Sequence, residues 1–382
     1  MTLVFYLLVI TGIIICAPFI VLTHELGHAL AYIIFTKPDN IDILIGSSSP
    51  QKNTFSFRIK HLKIQVTPNF PFKCAGYCLS NKVEYNYIKY ILILLSGCIT
   101  TLLFALSVLL LSLYFDVHGA IKLLCVIMLC YSVYVGYHNL IAKRSKIGST
   151  DGERIAFALN LGKAFSHYLK GVANYDDENH EVSLTYMQQA YNIKPNNTEI
   201  QRWYIYTLIA NERLQEAENM IKNFAKQRSL KWYDMDVIAS VYHKSGKKNE
   251  AVAYYKKSLQ ILPNNVDSIL SLSYLQTELG LYEEAVDNLQ KIFGINQDYP
   301  FISGYLGYCK ILQGELKEGK NLIELSLKTD GENAYLYKGL GIYYLKINDI
   351  TEADNLFKRA IELDASIDID QYQKNEAPNS ID

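Results

Sequence analysis

Uncharged residues run unbroken from Met1 to Thr23, from Tyr90 to Phe115, and from Leu123 to Ala142 between Lys122 and Lys143. Each run approaches or exceeds the roughly 20 residues that cross a hydrocarbon core about 30 Å thick. Membrane helices are therefore expected over about 3–35, 90–115 and 120–142. The first continues through VLTHELGHALAYIIF, where His24, Glu25 and His28 interrupt an otherwise apolar stretch. Between the first and second runs the pattern changes. Phe55, Phe57 and Ile59 alternate with polar neighbours, and Leu62, Ile64 and Val66 continue after a shift near His61. This predicts strands with a bulge, within a β region of about 41–80. Past residue 150 charged residues return to the density of water-exposed protein.

The second half repeats. Pro195 in NIKPNN and Pro263 in QILPNN stand 68 residues apart, twice the 34-residue tetratricopeptide period. That period aligns Tyr242, Gly246, Ala251 and Pro263 in one unit, and Leu272, Gly280 and Ala285 in the next. Leu306 and Gly307 follow, then Leu340, Gly341, Tyr344, Ala353, Phe357 and Ala360. Weaker copies precede these at Gly171, Ala190 and Pro195, then Ala217. Alanine and glycine let paired helices approach closely, tyrosine and phenylalanine fill the spaces between turns, and stacked pairs build a superhelix with a concave surface for protein or peptide partners. The pattern divides the chain into a membrane-embedded domain at 1–163, about six helix pairs over 164–365, and a polar tail at 366–382.

With a formal net charge of −1 over 382 residues and no basic run, nucleic acid is not expected as a partner. Charge placement matters more. The segment from Thr36 to Lys89 is rich in Lys and Arg, and Lys143, Arg144 and Lys146 follow the third run, whereas the turn from Asp116 to Lys122 holds a single lysine. The excess of positive charge on the cytoplasmic side of membrane proteins puts the N-terminus and that turn outside, and the second half in the cytoplasm. No basic residue occupies the first four positions, so the first run reads as a retained span and not as a cleaved signal peptide. The cysteines are scattered; only Cys74 and Cys78 lie close together, and in a reducing compartment they read as packing or free thiols. His61 and His118 read as surface residues.

On a helix, positions four apart share a face. His24 and His28 can thus chelate one ion, with Glu25 in reach of a water bound to it. Zinc suits two imidazoles, leaves a place for water and brings its pKa towards about 7. Glu25 would take the proton and later deliver it to a leaving amine, the HExxH metalloprotease arrangement. Ionisable residues at membrane depth also point to function. A third protein ligand is needed, and spacing alone leaves two candidates: Asp151 in IGSTDGERIAFAL, which could equally cap a helix, and His138 within the third run.

HELGHAL in the first span, LSGCITTLLFAL in the second, and HNLIA followed by STDGERI at the third resemble the site-2 protease family of intramembrane zinc metalloproteases. The resemblance covers roughly residues 1–163. It implies that Asp151 is the third zinc ligand, followed by Gly152, and that Asn139 helps hold the substrate strand. It also implies a re-entrant β-hairpin between the first two spans, with FKCAGYC, including Gly76 and Tyr77, matching a Gly-Gly-Tyr segment. The chain departs from the family at Ala142, where a proline is usual, in its longer interval from Asn139 to Asp151, and at Cys98, which follows Gly97 in place of proline. The expected protein is mainly α: a three-helix membrane metalloprotease core with a small cytoplasmic or re-entrant β-hairpin, then an α-solenoid. It would use Zn2+, contact membrane lipid and cut transmembrane protein substrates. The alternative is a membrane-anchored tetratricopeptide adaptor with an inactive protease-like domain.

Overall fold

Helix α1 (Thr2–Thr36) carries the HExxH stretch without a break and runs through Pro18. Helix α2 (Tyr87–Tyr114) begins where the Asn86 side chain accepts from the backbone N–H groups of Ile88 and Lys89, satisfying donors that a helix start leaves open. Helix α3 (Gly119–Leu140) begins at His118, whose ring accepts from the Ala120 N–H. All three helices are long and apolar enough to cross a membrane by length and composition. They pack on one another through small residues and side-chain to backbone bonds, as where Ser96 Oγ donates to the Gly27 carbonyl at 3.0 Å. Their outward faces are apolar, with Leu103 and Leu110 exposed. The structure, a computed structural model, describes residues 2–46, 55–67, 76–141, 144–145, 148–226, 230–293, 300–329, 332–365, 367 and 369. Cys74, Ala142, Lys143, Lys146 and the end of the tail lie outside the described residues.

Between α1 and α2 four strands form a mixed sheet in the order β2-β3-β1-β4. These are β1 (Ile41–Ile45), β2 (Phe55–Ile59), β3 (Leu62–Val66) and β4 (Gly76–Ser80). The shift in alternation near His61 is a tight hairpin turn and not a bulge: Ile59 pairs directly with Leu62, and Lys60 takes the left-handed φ of 52° that such a turn demands. The expected hairpin is thus the outer part of a larger sheet. β1 runs parallel to β3 and antiparallel to β4. Ile41, Ile43, Ile45 and Ile64 bury one sheet face against Val21 and Ala29 of α1, which brings β4 beside the HExxH turn.

After α3 the chain forms a short ladder, β5 (Arg144–Ser145) with β6 (Gly148–Ser149), which accounts for the longer interval between Asn139 and Asp151. Helix α4 (Asp151–Leu161) follows. Its first turn closes against the end of α3, where a Cβ at Gly152 would land on the Leu140 carbonyl.

Among the described residues, helix pairs then succeed one another: α5 (Phe165–Asp176) with α6 (His180–Ile193), α7 (Thr198–Ala210) with α8 (Leu214–Phe224), and α9 (Trp232–Lys244) with α10 (Lys248–Ile261). They continue as α11 (Val266–Glu278) with α12 (Tyr282–Phe293), α13 (Pro300–Gln313) with α14 (Leu316–Thr329), and α15 (Ala334–Lys346) with α16 (Ile350–Leu363). The 34-residue period is written in the backbone. Glu178, Glu212, Gly246, Gly280, Gly314 and Asn348 all have positive φ. The residue after each donates back across the end of the first helix of its pair, as Leu281 N does to Gln276 O at 2.8 Å and Arg213 N to Leu208 O at 2.9 Å, the Schellman closure of a helix C-terminus. At a second register Ser183, Ala217, Ala251, Ala285, Gly319 and Ala353 are buried, where the two helices of a pair come closest.

By contacts the chain parts into Met1–Ile200 and Gln201–Asp382, so the α5/α6 pair packs within the same unit as the apolar helices, although its sequence belongs to the repeats. The tail expectation needs a correction at its start: Ile367 and Ile369 are buried with Phe357 and Leu336 in the last core cluster, because apolar side chains there cover the open end of the stack.

The turn geometry predicts opposite effects at two registers. Gly280→Ala forces a side chain into the left-handed region and should lower stability by about 1 kcal/mol. Glu212→Gly relieves the same strain and should raise the thermal midpoint, both read by circular-dichroism melting of the purified chain.

Candidate metal centre

On α1, His24, Glu25 and His28 are buried at 5%, 6% and 6% exposure. The two rings meet edge to face with centroids 4.7 Å apart. Helix α2 reaches them because Gly97 has no side chain: a Cβ there would stand 2.6 Å from His28 Nε2 and 2.8 Å from His24 Cε1. Helix α4 completes the cluster. Asp151 does not cap its helix, since Thr150 takes that role, its Oγ1 accepting from the Glu153 N–H at 3.2 Å and donating to the Ile141 carbonyl at 2.8 Å. The Asp151 carboxylate is free to turn inward, and its Oδ2 lies 3.1 Å from His24 Nε2 and 3.3 Å from His28 Nε2. His24 Nε2 and His28 Nε2 are 3.1 Å apart. His138, the other candidate third ligand, is exposed and packs its ring on Tyr134 and Tyr137.

Hydrogen bonding sets the chemistry of this meeting. His28 Nδ1 lies 2.7 Å from the Ile93 carbonyl, which can only accept, so Nδ1 carries the proton and the neutral ring presents a bare lone pair at Nε2. That lone pair faces a carboxylate oxygen and a second imidazole nitrogen. Acceptors this close, away from water, repel unless a proton or a metal cation lies between them. Donor atoms bound tetrahedrally at 2.0–2.1 Å stand roughly 3.3 Å apart, and the observed 3.1–3.3 Å separations match. The bond from His28 Nδ1 to a backbone carbonyl is also the outer partner that metal-bound histidines use. The residues thus fit a divalent ion of the zinc type.

A cavity of about 430 Å³ opens onto the cluster. Glu25 and Asn139 line it, as do Gly76 and Tyr77 of β4 and Arg154 of α4. Gly76 is so close that a Cβ would stand 2.6 Å from Glu25 Oε1. Asn139 Nδ2 lies 3.2 Å from His24 Nε2. One further donor reads in the sequence only as a packing thiol: the Sγ of Cys98 lies within 4.8 Å of the ligand atoms of His24 and Asp151. Its position directly after Gly97 is the available signal. His61 is exposed, its ring bonded to the Asp39 carbonyl. In the second unit a separate cavity of about 410 Å³ is lined by residues of mixed charge, including Lys256, Glu284, Asp287 and Lys291.

Models of the tetratricopeptide repeat match residues 149–292 and 334–367, and the C-terminal region of the chain is made of these repeats. The human cell division cycle protein 16 homolog is 29% identical over 72 residues, 19% of this chain and 12% of its own length. The chain therefore spans about an eighth of the length of the curated relatives it matches. Among solved structures, Pseudomonas aeruginosa PilF aligns at 13% identity and TM-score 0.45, covering 57% of this chain and 99% of that one. YrrB, described as a tetratricopeptide protein with an unusual peptide-binding site, aligns at 17% identity and TM-score 0.36, covering 50% and 97%.

The contact of α2 with the imidazoles leaves no room for a side chain at Gly97. Gly97→Val should destabilise the first unit by about 1–3 kcal/mol or more through overpacking, and Gly97→Ala by less, measured as loss of thermal stability in detergent.

Proposed function

We propose that this tetratricopeptide-repeat protein is also an intramembrane zinc endopeptidase of the site-2 protease type, whose repeats recruit substrate or regulate access. The repeat half rests on the matches above; such repeats bind protein or peptide partners. The catalytic half is supported by one observation above all: His24, His28 and Asp151, carried by α1 and α4, bring their ligand atoms within 3.3 Å of each other, with Glu25 in the adjoining cavity. In this reading α1, α2 and α3 cross the bilayer in contact with lipid, the N-terminus is outside, and the repeats are cytoplasmic.

Zinc, when bound, supplies a water of lowered pKa and polarises the scissile carbonyl. The protein does the rest. His24, His28 and Asp151 hold the ion, and Glu25, shielded from bulk solvent, takes the proton of the attacking water and passes it to the leaving amine. The outer edge of β4, at the end of the sheet, offers backbone groups to an extended substrate, and Asn139 steadies that strand. Because the substrate must leave its helix to be cut, spans weakened by Gly, Pro or polar residues are the preferred class.

A second reading keeps the repeats as a membrane-anchored adaptor and leaves the metal site idle. It is favoured by where the family models fall, on residues 149–292 and 334–367.

The readings part on Glu25. Purified wild type should hold one zinc per chain and cut single-span substrates. Glu25→Gln should keep the zinc and lose cleavage by about 10²-fold or more, whereas His24→Ala, His28→Ala and Asp151→Asn should lose zinc as well. Equal cleavage by wild type and Glu25→Gln would remove the enzyme reading. A substrate whose span is rebuilt from leucine should be spared by the active protein, as scored by gel mobility.

A further inference from the structure

Cys98 is placed by the same close approach that builds the metal cluster. Gly97 brings α2 against both imidazoles, and the next residue sets its Sγ within 4.8 Å of the donor atoms of His24 and Asp151. The thiol is only loosely held where it stands: its one polar contact described is to the Gly136 carbonyl of α3, at 3.9 Å. A thiolate at 2.3 Å from zinc, beside nitrogen at 2.0–2.1 Å, stands roughly 3.6 Å from that nitrogen. Closing the gap to His24 and Asp151 takes about 1 Å of movement, within reach of a side-chain rotation that gives up a weak contact; His28 stands outside that 4.8 Å group and joins through its own 3.1 Å and 3.3 Å approaches to His24 and Asp151. Cys98 is also not among the residues lining the cavity. It approaches the cluster from among the packed helices, while Glu25 faces the cavity.

From these positions we infer that Cys98 is the fourth protein donor of the metal centre, completing a set of two histidines, one aspartate and one cysteine. This rests on the zinc reading above and adds a state to it. Four protein donors fill a tetrahedral shell, the arrangement of closed structural zinc sites, whereas catalytic sites keep one position open. On metal binding the Cys98 thiol gives its proton to solvent and the sulfur donates an electron pair to the ion. The resting centre is then closed and holds its metal tightly, and it opens to the cavity when an entering substrate displaces the sulfur, which is reprotonated by solvent. The departure from proline to cysteine after Gly97 would give this chain a latent protease.

Cobalt(II) tests this, because a thiolate on cobalt absorbs in the near ultraviolet and nitrogen or oxygen donors do not. The full-length protein in detergent is stripped of metal and loaded with cobalt. One cobalt per chain with the sulfur band is expected in wild type, with the band lost in Cys98→Ser while cobalt still binds, about tenfold or more weaker. Alkylation of Cys98, followed by peptide mass, should be blocked by the metal and restored by a chelator. Cysteines elsewhere in the chain are unchanged in Cys98→Ser and serve as the internal control. Stoichiometric cobalt without the band in wild type overturns the inference and leaves the three-ligand centre standing. Wild type that binds no cobalt and no zinc overturns both, and so separates the two failures.

Discussion

The packing of α2, α4 and the sheet around α1 follows from placing His24, Glu25 and His28 on an apolar helix. Each is almost fully shielded, and buried ionisable groups are costly unless something of opposite charge or complementary hydrogen bonding meets them. The fold meets that demand from several directions. The Ile93 carbonyl accepts a hydrogen bond from His28 Nδ1, and Asp151 arrives from the start of α4. Close approach is the reason glycines sit where α2 and β4 touch these side chains, at Gly97 and Gly76.

The repeats are built on a different constraint. Their stability is spread over near-identical joints, each a left-handed turn residue and a buried small residue 34 positions from its counterpart. Stacking of this kind tolerates substitution elsewhere, so the pairs around Gly171 and Ala217 keep the geometry of the later ones with little of their sequence. Glu178 and Glu212 occupy turn positions that Gly246, Gly280 and Gly314 fill elsewhere, and the closing hydrogen bond is made in all of them.

How far the chain can be read in advance varies residue by residue. Unbroken apolar runs specify long helices because length and the absence of charge are local properties, and α1, α2 and α3 begin and end within a few residues of the expected limits. The repeat period is likewise visible at Gly246, Ala251 and Pro263, where the small or rigid residue is itself the signal. Glu178 and Glu212 are not visible, because a glutamate forced into positive φ leaves no trace in composition. Near His61 the broken alternation reads as a bulge although it is the turn of a hairpin, since both displace the side-chain phase by the same amount.

The sequence by itself determined the three long apolar helices, the repeats and the pairing of His24 with His28, because helical periodicity places residues four apart on one face without reference to anything else. What meets that face is visible only in the tertiary structure. Spacing alone leaves Asp151 and His138 open and the family resemblance implies Asp151; the structure brings Asp151 to both imidazoles because Thr150 assumes the capping role and α4 packs on α2 and α3, while His138 turns outward to Tyr134. The parallel pairing of β1 with β3, the burial of Ile367 and Ile369, and the nearness of Cys98 to the cluster were decided in the same way. Each depends on the approach of segments distant along the chain, and such contacts are set by the sum of packing choices across the whole unit.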